Sequence, residues 1–130
     1  MKSLLGRHIR LGRSGEGLAA DYFKDRGYRV LDTNFRTRFG ELDLVLEDGG
    51  EIVFVEVKTR RGHGFGRPEE AVTPEKQERI RRCAESWLQR NGLLEDLPQI
   101  RFDVLAITLD GAGLDGAGKP PSIRHIANAF

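Results

Sequence analysis

Cysteine is all but absent from this 130-residue chain, with Cys83 standing alone. That excludes an internal disulfide framework and any cysteine-rich zinc site, and it fits a reducing cytoplasm. Histidine is scarce as well, and His8, His63 and His125 are too scattered for a zinc-binding spacing. No apolar run approaches the roughly 20 residues that a membrane-spanning helix needs. The opening "MKSLLGRHIRLGRSG" lacks the continuous apolar segment of a secretory signal. The glycine-rich "GHGFGRP" lacks the Lys-Ser/Thr that a phosphate-binding P-loop requires. Together these absences predict a soluble cytoplasmic protein. Net charge is only +1, so bulk charge does not mark a nucleic-acid binder. Acids are nevertheless missing locally. Between Val57 and Pro68 lie Lys58, Arg60, Arg61 and Arg67 with no acid, and the first thirteen residues carry Lys2, Arg7, Arg10 and Arg13 with none. Such stretches suit phosphate binding or simply a solvated loop and a frayed terminus, and charge alone does not choose.

The length predicts one domain over 13–130, preceded by a flexible basic segment over 1–12. "SGEGLAADYFKDRG" reads as a helix, with Ser14 as N-cap, Glu16 in the first turn and Gly27 past the end. Leu18 and Tyr22, like Ala19 and Phe23, are four apart and form an apolar face. "YRVLDTNF" reads as a short strand, and "GELDLVLEDGGEIVFVEVKTR" as a hairpin with strands near 40–48 and 51–59. The clearest helix is "TPEKQERIRRCAESWLQRNG", capped by Thr73, with Pro74 at its first position and Gly92 past its end. Ile80, Cys83, Ala84, Trp87 and Leu88 follow helical spacing and predict a buried stripe. "IRFDVLAITL" is a further strand, and "IRHIANAF" closes the chain as a short edge strand. Helix, three strands, helix and strand predict an α/β fold, a mixed sheet flanked by helices.

The hairpin holds an oddity, because each apolar strand carries an acid at its centre. With Gly49-Gly50 as a two-residue loop, Asp48 faces Glu51 and the strands pair antiparallel from there. Leu46–Val53, Leu44–Val55 and Leu42–Val57 then make one apolar face. Val45–Phe54, Asp43–Glu56 and Glu41–Lys58 fall on the other. Directly opposed side chains have Cβ atoms roughly 4.5–5.5 Å apart, and like charges so placed repel. Asp43 and Glu56 are thus spaced to hold one hard divalent cation, which takes carboxylate oxygens and water. The competing reading is an ordinary charged solvent face.

An acid followed by a strand ending in E-x-K, here Asp43 and "EVK" at 56–58, resembles the PD-(D/E)XK nuclease superfamily. "GEGLAADYF" and "FGELDLV" further resemble the archaeal Holliday-junction resolvases within it. More closely, the chain resembles the YraN-like family of small bacterial proteins. The matching stretches are "GRSGEGLAADYFKDRGYRVLDTNFRTRFGELDLV", "VFVEVKTR", "FGRPEEAVTPEKQERI" and "RFDV". No Pro precedes Asp43; Leu42 stands there.

The resemblance implies a restriction-endonuclease-like fold and a Mg²⁺- or Mn²⁺-dependent endonuclease acting on nucleic acid, DNA before RNA, with branched or flapped structures favoured. Asp43 and Glu56 would bind metal, joined by the backbone carbonyl of Val57. Lys58 would activate water or stabilise charge on the phosphate. Glu16 matches the first-helix Glu of the resolvase-like branch; the alternative is a first-turn acid favoured by the helix dipole. Glu41 is expected to pair with Lys58. Lys76 and Gln77 begin a helix, where they would contact phosphate or face solvent. Arg36, Arg38, Arg60, Arg61 and Arg67 are candidate phosphate contacts. Asp103 is expected to pair with Arg101 or Arg36 rather than to act in catalysis. A homodimer is implied by the resolvase resemblance alone, since symmetric cutting of two strands needs two sites. The rival reading is a non-catalytic nucleic-acid-binding or assembly module on the same fold.

Overall fold

The computed structural model describes residues 15–61, 72–109 and 120–130. The basic segment over 1–12, the Ser14 cap, His63 and Arg67 lie outside the described residues. In chain order the elements are α1 (Gly15–Asp25), β1 (Arg29–Thr37), β2 (Gly40–Asp48), β3 (Glu51–Arg61), α2 (Pro74–Arg90), β4 (Ile100–Leu109) and β5 (Ser122–Ile126). The strands form a single sheet in the order β1-β2-β3-β4-β5. The β3–β4 pair is parallel and its neighbours are antiparallel, so α2 is the crossover that a parallel pair requires. This is the α/β arrangement of a restriction-endonuclease-like fold.

Local chemistry sets the boundaries. Gly27, at φ +88°, ends α1, and the Tyr28 N–H returns to the Phe23 carbonyl. Thr73 caps α2 as expected, its hydroxyl accepting from the Lys76 N–H, with Pro74 in the first turn. Gly49 and Gly50 have φ of +58° and +90°, which an L side chain resists and a two-residue hairpin turn demands.

Alternation along β3 divides the core into two layers. Ile52 and Phe54 face α2, where Ile80, Cys83, Ala84, Trp87 and Leu88 are all buried. Val53 and Val55 face α1, against Ala19, Ala20 and Phe23. The Trp87 indole N–H is not left unsatisfied; it donates to Asp32 Oδ2 at 3.0 Å. Truncating a core ring such as Phe54 would cost about 3–5 kcal/mol.

The expected hairpin register holds from Asp48–Glu51 to Leu44–Val55. There the ladder stops, short of the expected Asp43–Glu56, Leu42–Val57 and Glu41–Lys58 pairs. Leu42 does not continue the face of Leu44 and Leu46. It packs with Val45 and Phe54 on the α2 side, while Leu44 and Leu46 pack on the α1 side. Residues two apart on a regular strand share a face, so β2 turns over at Asp43. A local bond accompanies the turn, with Asp43 Oδ2 accepting the Val57 N–H at 2.8 Å. A side chain there takes the donor that a continued ladder would have given to β2 backbone.

Candidate active site

Glu16 reaches the sheet because of a glycine. A Cβ on Gly15 would lie 2.1 Å from Thr59 Oγ1, inside any allowed contact. Only glycine therefore lets the first turn of α1 approach β3 this closely. The approach is productive: Glu16, Glu41 and Asp43 each present a carboxylate oxygen, all within 4.8 Å of one another. All three side chains are half-buried.

Asp43 is the hub. Its carboxylate lies within hydrogen-bonding reach of Glu56 as well as accepting the Val57 N–H. Burial and then the Glu56 charge push its pKa up to about 7, with Glu16 adding and the Val57 N–H opposing. Among the described residues, only the Val57 N–H acts against that rise.

Glu41 corrects an expectation. It pairs not with Lys58 but with Arg36, whose Nε lies 3.0 Å from Glu41 Oε2. The reason is register, since Arg36 and Glu41 are direct partners across β1 and β2, while the β2–β3 ladder has ended before Glu41. Lys58 instead meets Glu56, its Nζ 3.2 Å from Glu56 Oε2. Lys76, from the first turn of α2, stands close enough to Lys58 that the neighbouring ammonium lowers its pKa. A cleft of about 190 Å³ joins Glu41, Glu56 and Lys76 to Phe39 and Arg79.

Of the expected site residues, Asp43, Glu56, Lys58 and Glu16 come together, with Val57 between Glu56 and Lys58 and its N–H on Asp43. Lys76 stands beside them. Gln77 does not turn to the site, because its amide donates to the Val72 carbonyl at 3.1 Å and secures the entry to α2. Arg36 and Arg38 lie on and just after edge strand β1, and Arg60 and Arg61 end β3. The residue missed as a site member is Glu41. A signal existed, since it lies two before Asp43 on a strand, but its charge invited the Lys58 pairing instead.

A mixed sheet between two helices, with carboxylates from α1, β2 and β3 gathered at one point, defines an α/β protein of the restriction-endonuclease-like fold class with an acidic cluster. The chain belongs to the YraN-like UPF0102 family, described as "Uncharacterised protein family UPF0102", which matches residues 15–107. A UPF0102 protein of Rhodococcus jostii is 45% identical over 126 residues, spanning 97% of this chain and all of the relative. A UPF0102 protein of Geobacter sulfurreducens is 50% identical over 120 residues, covering 92% of this chain and 88% of the other. One from Syntrophomonas wolfei is 49% identical over 92% and 96%.

Proposed function

We propose that the chain is a divalent-metal-dependent nuclease that hydrolyses phosphodiester bonds in structured nucleic acid, DNA before RNA. The observation that carries this reading is the convergence of Glu16, Glu41 and Asp43, with Glu56 against Asp43. Four carboxylates brought together leave negative charge that folding alone would avoid. An all-oxygen donor set suits Mg²⁺ or Mn²⁺ rather than a softer ion. Such an ion, when bound, polarises a phosphoryl oxygen and acidifies a bound water.

The chain's own groups have separate tasks. Asp43 and Glu56 hold the metal, with Glu16 and Glu41 closing the cluster from α1 and the start of β2. The Val57 N–H fixes the Asp43 carboxylate in orientation. Lys58, held by Glu56, offers a cation and proton donor to the attacking water or to charge developing on the phosphate. Lys76 adds a second cation beside Lys58, and two adjacent ammonium groups favour an anion between them. Arg79, in the same cleft, extends this positive side along α2.

The test is cleavage of a panel of single-stranded, flapped, branched and blunt substrates with Mg²⁺ or Mn²⁺. Asp43→Asn should abolish product formation without unfolding the protein. A folded wild type that binds these substrates but cuts none, under either metal, would leave the binding-module reading in its place.

A further inference from the structure

A second groove runs between edge strand β1 and α2 and takes no part in the chemistry above. It encloses about 670 Å³, and its walls include Phe35, Arg38, Phe39, Gln89 and Arg90. Phe35 and Phe39 are half-buried, packed on one side against the α2 core layer. Each ring carries a guanidinium. Arg90 lies 5.5 Å from the Phe35 ring centre, and Arg38 and Arg82 lie 4.9 Å and 5.5 Å from that of Phe39. Phe39 also borders the cleft that contains Glu41 and Glu56. The groove and the acidic cleft therefore share a wall.

Half-buried rings packed from behind and faced by guanidinium groups form a surface on which unpaired bases stack, on ring or guanidinium planes, while their phosphates meet positive charge. We infer that this groove binds single-stranded nucleic acid, and that the protein acts on strands with unpaired nucleotides next to the phosphate at the acidic cluster. The placement of that phosphate rests on the nuclease reading; the binding does not. A blunt duplex keeps its base faces stacked on one another and has nothing to offer the two rings. A second copy of the chain is the other occupant to weigh, because β1 is an edge strand among the described residues. Charge argues against it. Among the described residues the lining carries Arg36, Arg38 and Arg90 against Glu85, and Arg36 already serves Glu41. A two-fold dimer would set this positive surface against itself, whereas a polyanion neutralises it.

The experiment measures anisotropy of a fluorescent oligothymidine and of a blunt duplex of equal length, with the full chain in EDTA so that no cutting occurs. Wild type should prefer the oligothymidine. Phe35→Leu, which keeps the apolar packing and removes the ring, should weaken oligothymidine binding about tenfold, in line with loss of one base–ring stack. Arg38→Glu with Arg90→Glu, both exposed and away from the core, should weaken it at least as much, with melting temperature checked to show that the variants are folded. Equal affinity for the two ligands, or unaltered oligothymidine binding by the folded arginine variant, overturns the inference. If that variant instead changes sedimentation from dimer to monomer and leaves oligothymidine binding alone, the groove is a self-association face. Absence of cleavage on every substrate with Mn²⁺ would remove the nuclease reading while groove binding in EDTA stood unaffected.

Discussion

Two aspartates of this sheet, on β2 and on β4 with β3 between them, meet opposite fates. Asp103, on β4, is completely buried, yet every side of its carboxylate is answered. Arg101 Nε lies 3.1 Å from each of its oxygens, His125 Nε2 is 2.6 Å from Oδ2, and the Asn128 N–H donates to Oδ1 at 3.0 Å. Arg101 is itself shared with Glu51 and the Tyr28 hydroxyl. Burial alone would raise the Asp103 pKa, but His125, Asn128 and Arg101 hold it below the ordinary carboxylate value. Asp43 is less buried and far less satisfied. Its neighbours are carboxylates, and its pKa rises to about 7. A buried charge with partners from β4, β5 and the chain beyond is a structural clasp. A half-buried charge set among like charges is where the proposed metal would bind.

The sharpest way to break the comparison is to remove each aspartate. Asp103→Ala removes the buried acceptor shared by Arg101, His125 and the Asn128 N–H, and stability should fall by about 3–5 kcal/mol in urea denaturation. Asp43→Asn should leave apo stability in EDTA unchanged or higher. If Asp43→Asn destabilises as strongly as Asp103→Ala, the two acids are alike and the acidic cluster is structural.

Metal should separate them next. With a hundredfold excess over Kd, Mg²⁺ or Mn²⁺ should stabilise wild type by roughly 2.7 kcal/mol. In thermal unfolding that is a rise of several degrees. Glu56→Gln, which keeps shape and removes one charge, should lose most of the rise and all cleavage. An equal response by wild type and variant would make the carboxylate pair an ordinary feature of the sheet.

The pH dependence should differ in sign. Asp43 has a folded pKa near 7, above its ordinary value of 3.8, so the folded apo chain holds the proton more tightly. Its contribution to stability is complete below 3.8 and is lost as pH rises through about 7. Asp103 is depressed, so its contribution is present above the ordinary value of 3.8 and is lost only as pH falls through its lower folded pKa. Urea midpoints in EDTA should therefore peak near the ordinary value of 3.8, falling below it as Asp103 is protonated and falling between it and about 7 as Asp43 ionises. Asp43→Asn should flatten the decline between 3.8 and about 7 alone, and an unchanged profile there would show that Asp43 is not the group responsible. Metal affinity should run the other way and strengthen through pH 7, because binding releases the Asp43 proton.

The smallest expected effect concerns the approach of α1. Gly15→Ala should destabilise by about 1–3 kcal/mol, the usual cost of overpacking. It should also reduce cleavage by displacing Glu16. Thr59→Ala removes the oxygen in the way, so the double variant should recover much of both. No recovery would mean that Glu16 is not positioned through this contact.

Much of this was legible in the chain. The stripe Ile80, Cys83, Ala84, Trp87 and Leu88 follows a helical period, and a period needs no knowledge of the partner it will meet. The Gly-Gly turn announced the hairpin, and the hairpin register placed Asp43 near Glu56. Glu41 was not legible as a member of the cluster, since its partner depended on where the β2–β3 ladder ended. That end is marked by the Asp43 carboxylate taking the Val57 N–H, a side-chain event that strand alternation does not encode. The turnover of Leu42 to the α2 side accompanies the same bond.

The sequence by itself determined the elements, their order, the two apolar layers and the family, because each is written in local spacing and composition. Only the tertiary structure decided which charges are answered and which are not. Asp103 meets Arg101 two residues away but needs His125 and Asn128 from beyond β4 to be satisfied. Glu16 meets Asp43 only because Gly15 yields space to Thr59 across the fold. Electrostatic free energy depends on distance and burial rather than on position along the chain, so the contrast between clasp and site exists only after folding.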